Sequence, residues 1–330
     1  MIVVYTLEAD HLAARPAKVG DALPDNTVWI DLLNPTHDED VQTEIWTKTA
    51  IPTREDMVEI EESSRFYTEN GGQYLTAPIL YFTEDKHHAI SPISFILTGS
   101  FLVTVRYAEP RAFSLYVSRA SKPGNGLIND KCSGVTILLG IIEAVTDRIA
   151  DILEGVASDI DQNSHTIFRR SDNDKPMTTK NFRDSLTRIG GQGAFLSKVR
   201  ESIAGVSRLL VYLAAITEQN SYKKETKAWI KSLERDTQSL STYVDFLSNK
   251  ITFLLDTVVG LISIEQNAII KIFSVAAVIF LPPTLVASIY GMNFELMPEL
   301  KWAVGYPFAI GLMIVSAILP YLYFRRRGWL

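Results

Sequence analysis

Two apolar runs close to the end of the chain constrain its fold more than any other feature. Residues 268–290 carry one formal charge, Lys271 near the start, and residues 305–324 carry none. Apolar runs of about twenty residues cross the roughly 30 Å hydrocarbon core as helices, and the short stretch between these two makes them a hairpin. Arg325, Arg326 and Arg327 follow the second run, so the positive-inside rule puts that end in the cytoplasm. An even number of spans then places everything before residue 268 on the same side. Tyr290, Trp302 and Tyr306 stand at the ends of the runs, where an aromatic belt would form. The alternative, a buried hairpin in a soluble core, needs two such runs by coincidence.

Charge and cysteine usage narrow the function classes. The formal net charge is −6, and apart from the last residues no stretch clusters Lys and Arg as phosphate binding requires, so a nucleic-acid partner is excluded. The single cysteine, Cys132, allows no internal disulfide and is expected to pack as a small hydrophobe. The opening Met1-Ile2-Val3-Val4-Tyr5 lacks a basic region followed by an apolar core, and the N-terminal bulk is expected in the cytosol.

Residues 1–130 read as an α/β domain. Residues 28–32 and 74–82 have strand composition, Asn70-Gly71-Gly72 supplies the positive-φ residues of a hairpin turn, and residues 92–107 read as a second hairpin around Gly99-Ser100. Residues 38–50 and 54–62 have helical composition, separated by Pro52. His87 and His88 are adjacent, a poor spacing for metal ligands, and beside Glu84-Asp85-Lys86 they read as a solvated turn. No Gly-x-Ser-x-Gly elbow, phosphate-binding glycine loop or His-Glu-x-x-His is present, so the chain is not expected to be an enzyme.

Residues 131–225 form a helical layer. Glu143, Asp147, Asp151, Glu154 and Asp161 follow one another at spacings of four, four, three and seven, which stacks five carboxylates on one helix face. Such a stripe is an ordinary solvated face or a field that collects and senses cations. In the stalk, residues 226–267, Leu233, Leu240, Leu247, Leu254 and Leu261 recur every seven residues, preceded at three by Ile230, Thr237, Val244, Ile251 and Val258, a heptad seam. No proline interrupts residues 227–281, so stalk and first span are expected as one helix of roughly 65 residues, about 100 Å long. A seam of that length is expected to pack on neighbouring helices of the chain and on copies of itself.

In the first span, Asn267, Ser274, Leu281 and Ser288, with Ile270, Ala277, Thr284 and Gly291 three residues on from each, form a stripe of mostly small or polar residues. Ile269, Ile272, Val275, Ile279, Phe280 and Val286 occupy the other faces. Periodicity leaves two readings open, close helix packing in lipid and the wall of a conduit.

Tyr290-Gly291-Met292-Asn293-Phe294, then Met297-Pro298-Glu299-Leu300-Lys301-Trp302, Gly305-Tyr306-Pro307 and the tail from Pro320 through Arg325 and Arg327 to Trp329-Leu330 resemble the CorA family of magnesium and cobalt transport proteins. The match is dense over roughly the last 65 residues and one of architecture before them. The resemblance implies a homopentameric funnel in a bacterial-type inner membrane, with both termini cytoplasmic, residues 268–290 lining the pore, 291–304 as the outer loop, 305–324 as the second span and 325–330 as a basic tail. It implies passive Mg²⁺ uptake, with Co²⁺ and Ni²⁺ also carried and no cofactor. Gly291, Met292 and Asn293 become the selectivity filter, where Asn293 oxygens and Gly291 carbonyls hold an ion that keeps its waters. Glu295 and Glu299 are the outer-loop acids that raise local cation concentration. Asn267, Ile270, Phe273, Ser274, Ala277, Leu281, Thr284 and Ser288 become pore-lining, with Ile270, Phe273 and Leu281 as a gate that closes by dewetting. Pro283, with Pro282 before it, removes a backbone hydrogen bond in mid-span and is expected to shape the pore by a kink.

Cytosolic divalent ions are implied to shut the channel through carboxylates between subunits. Asp256 fits one such position. Ser232 stands where spacing would suggest the acid of another, so Glu234, Asp236 or the stripe of Glu143, Asp147, Asp151 and Glu154 are the candidate replacements. Two other readings compete. A zinc transporter of the same superfamily, with proton coupling, would tend to depart from Gly-Met-Asn and Met-Pro-Glu-Leu, which are intact here. A coiled-coil membrane anchor would conduct nothing.

Overall fold

The computed structural model describes residues 1–59, 61–83, 87–99, 101–128, 132–168, 179–219, 223–293 and 297–327. They group into two compact units, Met1–Met177 with Arg183–Leu254, and Thr178–Phe182 with Leu255–Leu330.

The first unit opens with β1 (Ile2–Glu8), β2 (His11–Ala17) and β3 (Thr27–Leu33). Three short helices follow, α1 (His37–Thr47), α2 (Arg54–Val58) and α3 (Glu62–Arg65). Then come β4 (Phe66–Glu69), β5 (Gly72–Phe82), β6 (His88–Thr98), β7 (Phe101–Arg106) and α4 (Arg111–Ala120). The strands make one seven-stranded sheet in the order β2-β1-β3-β7-β6-β5-β4. All its pairs are antiparallel except β3 with β7. The β1–β2 hairpin, which the sequence reading did not single out, turns through Ala9 at φ 49° and carries no Asn-Gly or Asp-Gly signal. The β4–β5 turn is made by Asn70 and Gly71, both at positive φ, as expected.

Both α1 and α2 start on capping boxes, Thr36 with Glu39 and Thr53 with Asp56, which satisfy backbone donors that the first helical turn leaves open. The expected helix over residues 54–62 is shorter. It stops at Val58 because Glu59 adopts an extended backbone, and a separate turn begins at Glu62.

Pro78 and Pro92 lie in interior strands, against the usual confinement of proline to edges. They face each other across β5 and β6. On its other side β5 pairs with β4 only through Gly72–Leu75, and β6 pairs with β7 only from Ile93 onward. The missing N–H groups therefore cost no ladder bond.

Two long helices, α5 (Gly134–Phe168) and α6 (Thr179–Gln219), contact the sheet, and a third, α7 (Lys224–Tyr290), follows them. Close approach needs glycine at Gly134, where a Cβ would stand 2.5 Å from the Phe101 backbone carbon, and at two further points. A Cβ at Gly140 of α5 would stand 2.4 Å from Cε2 of Tyr116 in α4, and one at Gly205 of α6 would stand 2.3 Å from Cδ of Pro78. Beside Gly205, Ser202 Oγ accepts the Leu80 N–H at 3.2 Å, serving the free edge of β5.

On α7 the seam residues Ile230, Leu233, Thr237, Val244, Leu247, Ile251 and Leu254 are all buried within the single chain. Contacts from α5 and α6 flank them: Lys250 with Asp161, Arg200 with Asp245 at 2.7 Å, and the Phe168 and Phe253 rings stacked at 6.0 Å. Helices of 35 and 41 residues supply the neighbours within the chain that the seam was expected to need, and the seam members Leu240 and Leu261 stay half-buried. The second unit holds the remainder of α7, a 3₁₀ turn at Pro298–Lys301 and α8 (Gly305–Arg326).

Candidate ion pathway

Two described helices, α7 and α8, are long and apolar enough to cross a membrane. Within the second unit the last third of α7 has one covered face. Val275 is buried there, and Lys271, Ile279, Pro282, Pro283 and Val286, spaced along the same side, are half-buried. Every residue expected to line a conduit lies elsewhere on the helix and is exposed: Asn267, Ile270, Phe273, Ser274, Ala277, Leu281, Thr284 and Ser288. At about 100° per residue, Thr284 stands about 180° from Val275, and Ala277 and Ile270 lie within about 40° of that opposite direction. The stripe is therefore one surface, turned away from the face that the second unit covers itself. Its bulky members are bare, with Phe273 72%, Leu281 65% and Ile270 62% exposed.

α7 runs through Pro282 and Pro283 to Tyr290. The prolines leave the carbonyls four residues earlier without their usual donors. Directly after them, Thr284 Oγ1 donates to the Phe280 carbonyl at 2.7 Å. Its hydroxyl proton is thus committed to the backbone, and the side chain offers acceptor lone pairs to its surroundings. Sequence reading marked Thr284 as polar but not as an acceptor; the signal was its position just after two prolines.

The helix ends where the expected filter begins. Gly291 N–H reaches the Ala287 carbonyl at 2.9 Å and Met292 N–H reaches Ile289 at 3.2 Å, the last bonds of the helix. Gly291, Met292 and Asn293 are exposed. A Cβ on Gly291 would lie 3.1 Å from the Ala287 carbonyl oxygen, so the tight ending favours glycine. Glu295 lies outside the described residues. For Glu299 the backbone alone is described, in the 3₁₀ turn. Trp302 meets Phe308 edge-on at 6.4 Å, tying that turn to the start of α8.

The candidate regulatory acids are dispersed. Asp147, Asp151 and Glu154 are exposed on α5, and Asp256 is exposed on α7. Asp151 lies 3.7 Å from Arg148 in an ion pair. Glu143 differs. Burial, the Asp147 charge and the Asp236 charge push its carboxyl above the usual range, while a hydrogen bond with Trp229 works the other way. Among the described residues no three or more His, Cys, Asp or Glu side chains converge to hold a metal ion within one chain.

A sheet-based domain, a layer of long helices and a C-terminal pair of helices apolar and long enough to cross a membrane place the chain among two-span membrane-protein candidates. The sequence matches the family described as CorA-like Mg²⁺ transporter protein over residues 24–326. It is 35% identical over 330 residues to the magnesium transport protein CorA of Escherichia coli K12, covering all of both chains. It is 36% identical over 332 residues to that of Yersinia pseudotuberculosis, again end to end. Among solved structures, the complete CorA magnesium transporter of Methanocaldococcus jannaschii aligns with TM-score 0.77 at 19% identity, covering 100% of this chain and 99% of that one. The full-length CmaX protein aligns with TM-score 0.69 at 14% identity. The chain belongs to the CorA family. It is a transporter and not an enzyme.

Proposed function

We propose that this chain forms a homopentameric channel for passive Mg²⁺ entry across a bacterial inner membrane, with both termini in the cytoplasm, and that Co²⁺ and Ni²⁺ share the path. The observation that carries the reading is the exposed stripe on α7, which runs from Asn267 to Ser288 and ends at Gly291 and Asn293. Five copies around an axis would turn that surface inward and leave the covered Val275 face directed away from the axis.

Mg²⁺ gives up its water reluctantly. Asn293 oxygens and Gly291 carbonyls at the mouth therefore recognise the hydrated ion by accepting hydrogen bonds from its shell, with Met292 completing the loop. Glu295 and Glu299 raise the cation concentration outside. Further in, the Thr284 acceptor continues the wet path, and rings of Leu281, Phe273 and Ile270 close it by dewetting. A divalent ion gains about 4.6 kcal/mol per 100 mV of inside-negative potential, twice the single-charge value, so no chemical energy source is needed. Asp256 and the acids Glu143, Asp147, Asp151 and Glu154 act as cytoplasmic sensors only where a second copy adds ligands.

The test is dye-reported uptake into liposomes of the purified protein under an inside-negative potential, with Mg²⁺, Co²⁺, Ni²⁺ and Zn²⁺, wild type against Asn293→Ala. Mg²⁺ entry without a pH gradient, lost or made unselective by the variant, is the expected result. Uptake of Zn²⁺ alone, or only with a proton gradient, would replace it with a zinc transporter, and no flux at all with an anchor.

A further inference from the structure

The first unit contains a cavity of about 610 Å³ walled by α5, α6 and the adjoining ends of β5 and β6, which none of the pore or filter residues lines; of the candidate regulatory acids only Asp151 does. Its volume lies within the roughly 300–1,000 Å³ of small-molecule sites. Three chemistries meet in it. One wall is aromatic: the His88 ring lies 3.7 Å from Phe195 and 4.5 Å from Phe82, centroid to centroid. The expected solvated turn holds for His87, which is exposed and bonded to Thr83, and fails for His88, which opens β6 and packs at a tilt between rings from β5 and α6.

The second element is cationic. The Arg148 guanidinium lies 5.5 Å from the Phe82 ring centroid. Its Nε is buried without a hydrogen-bond partner, and its contact with Asp151, at 3.7 Å, is too long for a hydrogen bond. Arg188 reaches in from α6. The third element is an amide ladder, with Arg188 Nη1 donating to Asn163 Oδ1 at 3.1 Å and Asn163 Nδ2 donating to Gln192 Oε1 at 3.2 Å. Gly155 and Gly191 line the cavity with open space where a Cβ would stand.

We infer that this cavity binds a nucleoside phosphate as its Mg²⁺ chelate. A planar base stacks on aromatic faces, the two arginines match phosphate oxygens as forks, and the amides offer donors and acceptors to the base edge. Asp151 and Asp159 also line the cavity and would repel a bare polyphosphate. Mg²⁺ resolves that conflict, since it is commonly held by one or two carboxylates together with phosphate oxygens. At the aromatic wall, burial together with Lys198, His87 and Arg148 holds the His88 imidazole below its ordinary value. None of this depends on whether the chain conducts ions.

The experiment is titration calorimetry of the purified full-length protein with ATP, adenosine and tripolyphosphate, each with and without MgCl₂. Saturable ATP binding in Mg²⁺ is expected, with adenosine and tripolyphosphate at least tenfold weaker and ATP weaker when Mg²⁺ is omitted. Arg148→Gln and Arg188→Gln should each lower affinity about tenfold. Gly191→Leu fills the cavity without removing a contact, and should abolish binding at unchanged circular dichroism and elution volume. No saturable ATP binding up to millimolar concentration, or full binding by Gly191→Leu, overturns the site. Tripolyphosphate binding as tightly as ATP overturns base recognition, and tighter ATP binding without Mg²⁺ overturns the chelate.

Discussion

Arg106 grips Asp31 with two nitrogens across the one parallel strand pair of the sheet, Nε to Oδ1 at 2.9 Å and Nη2 to Oδ2 at 2.8 Å, in the buried centre of the first unit. Thr104 Oγ1 donates to the same carboxylate at 2.6 Å, and Trp29 Nε1 donates to Thr104 at 2.9 Å. The Phe113 ring covers the guanidinium at 5.0 Å. A parallel junction has no hairpin to fix its register, and this charge pair, Asp31 on β3 with Arg106 on β7, joins the β1–β3 half of the sheet to the rest.

Removing one partner leaves a buried charge unpaired, so Asp31→Ala should destabilise the protein by about 3–5 kcal/mol. The double variant Asp31→Leu with Arg106→Met should recover much of that loss. Thermal unfolding of the purified protein measures both, and a single variant as stable as wild type would contradict the role given to the pair.

Glycines in the helical layer separate into two kinds. Gly205→Ala should push α6 off Pro78 and cost about 1–3 kcal/mol. Gly190→Ala, in the same helix with open space at its Cβ, should stabilise by about 0.5–1 kcal/mol through helix propensity. Matched denaturation curves for the two variants give the opposite signs directly.

His88 sets an acid sensitivity. Because its folded value lies below the ordinary 6.5, folded and unfolded imidazoles are both neutral above about that pH and stability there owes nothing to its titration. As pH falls below it, the unfolded imidazole takes a proton that the folded one refuses, and stability drops until the folded value is passed. Lys198, which donates to the His88 carbonyl at 2.8 Å, and Arg148 sustain the effect. The drop in melting temperature from pH 7.5 to pH 5 should be smaller in His88→Phe, which keeps a ring between Phe82 and Phe195; equal slopes would refute this.

For the ion path, Phe273→Ala and Leu281→Ala should raise resting Mg²⁺ flux several-fold by widening an apolar constriction. Val275→Ala, on the covered face of the same helix, should change assembly or stability and leave resting flux low. Stopped-flow dye traces on liposomes distinguish the positions, and a leak from Val275→Ala alone would place the pore on the other side of α7.

Much of the architecture was legible because it rests on patterns that one chain carries by itself. Two apolar runs dictate membrane-crossing length, the Asn70-Gly71 turn needs positive φ, and Gly291-Met292-Asn293 marks the family through a short motif in a fixed place. The stripe from Asn267 to Ser288 could be drawn in advance because helical spacing fixes which residues share a face.

What the sequence could not supply is the identity of the neighbour. The heptad from Ile230 to Leu254 reads the same whether a second copy or the chain's own α5 and α6 covers it, and only the packing shows that α5 and α6 flank it. His88 looks like part of a turn, as His87 is, until β5 and α6 bring Phe82 and Phe195 to its two sides. Asp31 and Arg106 lie far apart in sequence, and no periodicity joins them until β3 and β7 run side by side. Local spacing determines which side chains share a surface; what each surface meets is decided by contacts between distant segments, which tertiary structure alone creates.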